Sequence, residues 1–355
     1  MYLKSFEYFR AVAISFIVIG HCYGVSGWKI QWFGERVLAN ILSGGTTLFV
    51  FISGFLFHHI FYPRFQSGKY YGKFLKNKFY NVYMPYLILS IYPVCMALYR
   101  KSPYTLFYFG PENTIYDQII RPALMYYWYG GVMVYWYIPF IMTIFIISPV
   151  FIWFIEQSTK KQIYIVIFSS IVAMLVHRPV HNWFAVQSVV YFSPIYMFGI
   201  LCSIQKEWIY KKFQGKDLYL FTGVLFFAVL QAIFYKYSGN PQKWPLEFKG
   251  IDISFMQKNI LAVFFMVFLH RFEDKDIPIL NQLAVSSFSI YFLHYWFIDF
   301  IGAMKRYWIS KELIAPFQGL LFLPVFTALV IWLSYLVASK IKKTFPKKSR
   351  MIVGW

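Results

Sequence analysis

The chain has 355 residues, 59% of them hydrophobic and 14% charged, with a formal net charge of +20. So apolar a chain of this length excludes a soluble protein built on one core. Its basic residues lie between apolar segments and form no basic domain of their own, which argues against nucleic-acid binding and for a polytopic membrane protein.

The first apolar segment, FRAVAISFIVIGHCYG, is followed by many more and is read as a retained helix, not a signal peptide. A helix turns about 100° per residue, so Arg10 and His21, eleven residues apart, fall on one face about 16 Å apart along the axis. Arg10 is then near one membrane surface and His21 lies within the bilayer. Glu7 stands one turn before Arg10 and can pair with it. An ionisable group at membrane depth is expensive and functional by default. His21 is therefore either a proton-transfer group or a neutral histidine bonded between helices; Arg10 is either a functional cation or a side chain snorkelling to headgroups.

Windows long enough to cross about 30 Å of hydrocarbon predict helices over 6–26, 38–61, 80–99, 131–155, 162–177, 186–204, 218–235, 256–271, 284–302 and 316–340. Ten crossings put both termini on one side. Three basic loops, PRFQSGKYYGKFLKNK, QKEWIYKKFQGKD and KIKKTFPKKSR, share that side and assign it to the cytoplasm, although the basic MKRYWISKEL would then lie outside. The expected fold is all-α and integral to the membrane, one domain over 1–355 with no soluble appendage.

Other positions carry two readings each. Ser53 either donates to an oxyanion or closes a helix contact with Gly54. His294 either lines a site or bonds across the bundle. His58 and His59 meet headgroups or an anion, and Asp299 is expected to be solvated. Trp128, Tyr129, Tyr135 and Trp136 either stack on sugar rings or belong to the interfacial aromatic belt. His177 and His181 are an unconvincing metal pair, because Pro179 stands between them in a predicted loop. Cys22, Cys95 and Cys202 all lie in apolar segments, which speaks against a disulfide framework or a zinc site.

Taken together, several stretches resemble one family. An acid, an arginine three residues on and a histidine eleven further, on the first of about ten helices, resemble the start of the membrane acyltransferase 3 family. SGGTTLFVFISGFLF, ending in Ser53, Gly54 and Phe55, resembles its glycine-rich span. KFLKNKFYNVYMPYL resembles its basic loop before a proline-tyrosine helix start, here Pro85 and Tyr86. VYWYIPFIMTIFIISP, with Trp136 and Pro149, and SSFSIYFLHYW, with His294, are similar to two later spans. One departure stands out: where the family usually carries two arginines, this chain has Lys78 and Asn81, which lose the two-pronged geometry.

The resemblance implies O-acyl transfer, commonly of acetyl, from a cytoplasmic acyl-CoA to a hydroxyl of a cell-envelope polysaccharide or its lipid-linked precursor, in a bacterial inner membrane. Acyl-CoA would be a substrate, with no bound cofactor or metal. Under it, His21 is the catalytic base or a transiently acylated group; Arg10, Lys76 and Lys78 hold the coenzyme phosphates; and Glu7, Ser53, Trp136 and His294 support or line the site. The rival reading is a glycan or lipid-linked sugar transporter or flippase, which ten helices would also suit. Transporters often place acids in mid-membrane relays, whereas nearly every acid here maps to a loop or a helix end.

Overall fold

The structure, a computed structural model, describes residues 3–65, 70–101, 103–129, 134–180, 184–235, 242–308 and 316–355. Among them, nine helices are long and apolar enough to cross a membrane, or ten if one bent pair counts as a single span. In chain order the helices are α1 (Lys4–Ser26), α2 (Phe33–Leu42), α3 (Gly45–Leu56), α4 (Tyr70–Arg100), α5 (Arg121–Tyr129), α6 (Tyr137–Ile146), α7 (Ser148–Ile155) and α8 (Thr159–Val176). They continue with α9 (Ala185–Ile204), α10 (Lys206–Phe213), α11 (Asp217–Phe234), α12 (Ile253–His270), α13 (Pro278–Trp308), α14 (Pro316–Thr344) and the short α15 (Ser349–Val353).

The long helix α13 runs beside α1 and in the same direction. Tyr8 of α1 accepts from Ile277 N and donates to the Lys275 carbonyl just before α13, while Lys305 near its far end donates to the Val25 carbonyl. The amides that begin α1 are satisfied from the same loop: Glu273 accepts from Lys4 N (2.7 Å) and Ser5 N (3.0 Å), placing negative charge at a helix N-terminus.

Close approach of α3 to α1 and α9 depends on glycines. A β-carbon on Gly54 would run into the Tyr196 carbonyl, and one on Gly199 into the Phe51 carbonyl, so α3 and α9 meet backbone to backbone. A β-carbon on Gly45 would come within 2.7 Å of Ile17 N on α1. The packing reading of Gly54 therefore has a concrete basis.

Two predicted spans are not straight. The one expected over 38–61 is broken where α2 ends at Ser43 and Gly44 takes a left-handed turn (φ 78°) before α3 begins. The carbonyls freed at the end of α2 are capped by the buried Lys258 of α12, which donates to Asn40 O and to Ile41 O (3.1 Å). A cation there complements the negative end of the helix dipole and satisfies acceptors that lipid cannot. The span expected over 131–155 begins in part outside the described residues and bends by 57° between α6 and α7, where Pro149 lacks the amide hydrogen needed to continue the ladder.

Candidate active site

Arg10 and His21 leave α1 toward the same neighbour. The guanidinium of Arg10 donates from Nη2 to Ser287 Oγ of α13 (3.0 Å), and Ser287 in turn donates to the Ala284 carbonyl (2.8 Å). Seven residues further along α13, the His294 ring lies 5.4 Å from the His21 ring, centroid to centroid, with Tyr295 edge-on to His21 at 6.1 Å. The helical spacing of the first span thus delivers both groups to one interface. Glu7 lies half-buried on α1 one turn before Arg10.

His294 is fully buried, and its Nδ1 lies 2.7 Å from the Tyr291 carbonyl and 3.1 Å from that of Ile290. Because both partners are acceptors, the proton of a neutral His294 belongs on Nδ1, assigned from the hydrogen bonds. Its Nε2 is then a bare lone pair, and that atom has no partner among the described residues. A buried acceptor left open beside a second histidine can receive a hydrogen bond or a proton. Chains of contact lead outward from the pair. The Tyr291 ring lies 6.1 Å from His294 and 5.9 Å from the Tyr137 ring, and the Tyr137 hydroxyl is 3.3 Å from Ser53 Oγ. Ser53 therefore reaches the histidines through two tyrosines and does not face them directly.

Toward the far mouth, Trp136 stacks on Phe192 (5.6 Å, 26°), and the Arg178 guanidinium sits 4.5 Å above the Trp136 ring. Arg178 belongs to the loop after α8, where Arg178 and Pro179 pair as a short parallel strand with Gln242 and Lys243. Its charge acts on His21 and on Asp252. Burial pulls the Arg178 guanidinium down to about 10, the nearby Tyr191 and Asp252 opposing that, so it is a cation at neutral pH. Asp252 is a fully buried N-cap of α12 that accepts from Ser254 N (2.9 Å) and from the Tyr191 hydroxyl (2.7 Å). Desolvation pushes its carboxyl above the ordinary range while the Ser254 and Tyr191 bonds pull the other way.

At the near mouth, Lys78 lies over three rings, 4.3 Å from Phe61, 4.5 Å from Phe145 and 5.3 Å from Phe74. The charges of Arg350 and Arg10 both act on it. Two π-helical turns, Phe57–Phe61 and Phe79–Tyr83, flank it. Lys76 is exposed and, two residues away on the same helix, is turned about 200° from Lys78.

Several expectations change. Tyr135 is fully buried, donating to the Phe292 carbonyl (2.6 Å) and accepting from Trp296 Nε1 (2.8 Å), so it is no platform for sugar at the surface. Tyr129 stacks on Tyr108, and Trp128 is exposed. His58 does not meet headgroups alone; its Nδ1 is 2.9 Å from Ser203 Oγ of α9, and its ring stacks on Tyr62. His177 is buried with Nε2 on the Gly250 carbonyl (2.9 Å); His181 lies outside the described residues. Among the described residues no three His, Cys, Asp or Glu converge as a metal would require. Asp299 is exposed, and the three cysteines are free.

Sequence reasoning missed Arg178, Asp252, Lys258 and Arg350. Lys258 was visible as a lysine inside the predicted span 256–271, and the D-x-S spacing of Asp252 and Ser254 is a helix-start signal. The pairing of Arg178 with Trp136 joins loops far apart in sequence and leaves no local trace.

Residues 3–339, nearly the whole chain, match the family described as an acyltransferase domain. No curated protein and no solved structure matches the chain. With its helices crossing as that family's resemblance implied, the chain belongs to the acyltransferase 3 family of membrane acyltransferases.

Proposed function

We propose that the protein transfers an acyl group, acetyl in the simplest case, from acyl-CoA at the cytoplasmic face to a hydroxyl of a cell-envelope glycan or its lipid-linked precursor in a bacterial inner membrane. The observation that carries this reading is the alignment of Arg10 and His21 along one helix, α13, with His294 and its open acceptor beside His21. A cation at one end and an imidazole pair deeper in the bilayer suit a donor whose phosphates stay at the surface while its extended arm carries the thioester inward.

In this reading His21 takes the proton of the acceptor hydroxyl as that oxygen attacks the thioester carbonyl carbon. The carbon–sulfur bond then breaks, and the imidazolium returns its proton to the departing thiolate. His294, held with its proton on Nδ1, offers a lone pair to the His21 ring or to the acceptor hydroxyl and so orients the proton path. An acylated His21 is the other route: the imidazole nitrogen attacks the thioester carbon, the thiolate leaves and takes up the ring proton, and the acceptor hydroxyl then attacks the acyl-imidazole, its proton returning to the released imidazole. Membership in the acyltransferase family supports transfer over the rival transport reading.

The test is mass spectrometry of surface glycans from cells lacking the protein, complemented with the parent chain or with His21→Ala. The parent chain restores an ester that the deletion and the variant both lack, at equal protein level in the membrane. Glycans with unchanged esters in the deletion overturn the proposal.

A further inference from the structure

The stretch of chain after α14 folds back on the bundle. Ser349 and Val353 are fully buried, and α15 packs on the Phe79–Tyr83 turn, on the Met84–Arg100 part of α4, and on α13 and α14. Gly354, in a left-handed conformation (φ 82°), passes under Phe288, where a β-carbon would strike the ring. The Trp355 ring lies 5.7 Å from that of Tyr335, and Ser349 Oγ closes the turn onto the Trp355 carbonyl. Phe288 is the neighbour of Ser287, the residue that holds Arg10. The segment is thus seated at the near mouth of the candidate site, and it lies beyond the residues matched to the family.

Only one charged side chain of α15 is available there, Arg350, which is exposed while its neighbours Ser349 and Val353 are not. α15 packs on the Phe79–Tyr83 turn that directly follows Lys78, and the charges of Arg350 and of Arg10 both act on Lys78. None of the ion pairs among the described residues includes Lys78 or Arg350. Like charges gathered beside a membrane bundle repel, and a polyanion is what relieves them. Lys78 is a point charge already set among three rings, and the π-helical turn beside it carries no charged side chain. Arg350 adds the planar fork that binds phosphate through two parallel hydrogen bonds.

Resting on the donor reading above, we infer that α15 is a built-in part of the donor site and that Arg350 is a phosphate-binding residue acting with Arg10 and Lys78. Its ligand is a phosphoryl group, supplied by acyl-CoA; a lipid headgroup carries the same chemistry, and the test separates the two.

Binding of radiolabelled acetyl-CoA is measured on the full chain in nanodiscs of phosphatidylcholine alone and of phosphatidylcholine with phosphatidylglycerol. Arg350→Gln weakens binding about tenfold or more in both, as expected for loss of a charge-assisted pair. Arg350→Lys recovers part of the loss, and Lys348→Gln, a control on an exposed cation of the same segment, leaves affinity unchanged. Equal affinity of Arg350→Gln and the parent chain overturns the inference, as does a loss that appears only with phosphatidylglycerol, which assigns Arg350 to headgroups. If the parent chain binds no acetyl-CoA, the donor reading fails instead. Pyrophosphate binding then decides Arg350: weakened binding by Arg350→Gln upholds its phosphate role, and unaltered binding overturns it.

Discussion

At the level of single residues, His21 and His294 sit ring to ring, 5.4 Å apart, in different settings. His21 is half-buried on α1, and His294 is sealed on α13 with its tautomer fixed by two backbone carbonyls. If His294 acts by offering its lone pair to the proton path, His294→Gln lowers kcat at least about tenfold with little change in KM for acyl-CoA. Steady-state kinetics on purified protein check this; an increase in KM alone would make His294 a binding residue. The sequence made His21 and Arg10 legible because a single helix fixes their relation. His294 was legible only as a candidate, since its neighbour across the interface depends on how α1 and α13 pack. Arg178 was not legible at all: its place over Trp136 is set by loops on either side of two spans.

The informative failures of prediction at the element scale are the irregular helices. Hydropathy counts residues in a window and does not register that Gly44 turns left-handed or that Lys258 caps the broken end of α2. Lys258→Met removes the ammonium donor of the Ile41 carbonyl and leaves the Asn40 carbonyl with the Ser43 hydroxyl (3.3 Å). A loss of about 1–3 kcal/mol for the unsatisfied group is expected, read as a lower midpoint in thermal unfolding in detergent. An unchanged midpoint would show that the cap contributes nothing. Gly54→Ala tests the opposite feature, a contact already closed. Because the obstruction is the Tyr196 backbone and not a flexible side chain, α3 and α9 must part, and destabilisation of about 1–3 kcal/mol follows, seen in the same assay. Gly54 is readable in SGGTTLFVFISGFLF as a small residue, but its partner, the Tyr196 carbonyl, belongs to a helix over 140 residues later and is not.

For the molecule as a whole, the number and order of the spans were legible because each crossing needs its own apolar window. The site lies between α1 and α13, the first and ninth spans in sequence order, and the last segment returns to the near mouth. Such closure is set by tertiary packing and cannot be seen in any window. The positive-inside rule predicts that the mouth near Arg10, Lys78 and Arg350 faces the cytoplasm. A single cysteine placed at Lys212, in a chain whose three native cysteines are replaced by serine or alanine, is predicted to resist a membrane-impermeant maleimide in intact cells and to react after lysis. Labelling in intact cells would invert the orientation.

An anchoring cation and a deeper imidazole that serve one thioester separate donor binding from the chemistry of transfer. Single-turnover transfer from radiolabelled acetyl-CoA, measured on the His21→Ala protein beside its donor affinity, tests that separation most directly. The expected result is donor binding close to that of the parent chain with transfer slower by about 10²-fold or more. Transfer at the parent rate would contradict it.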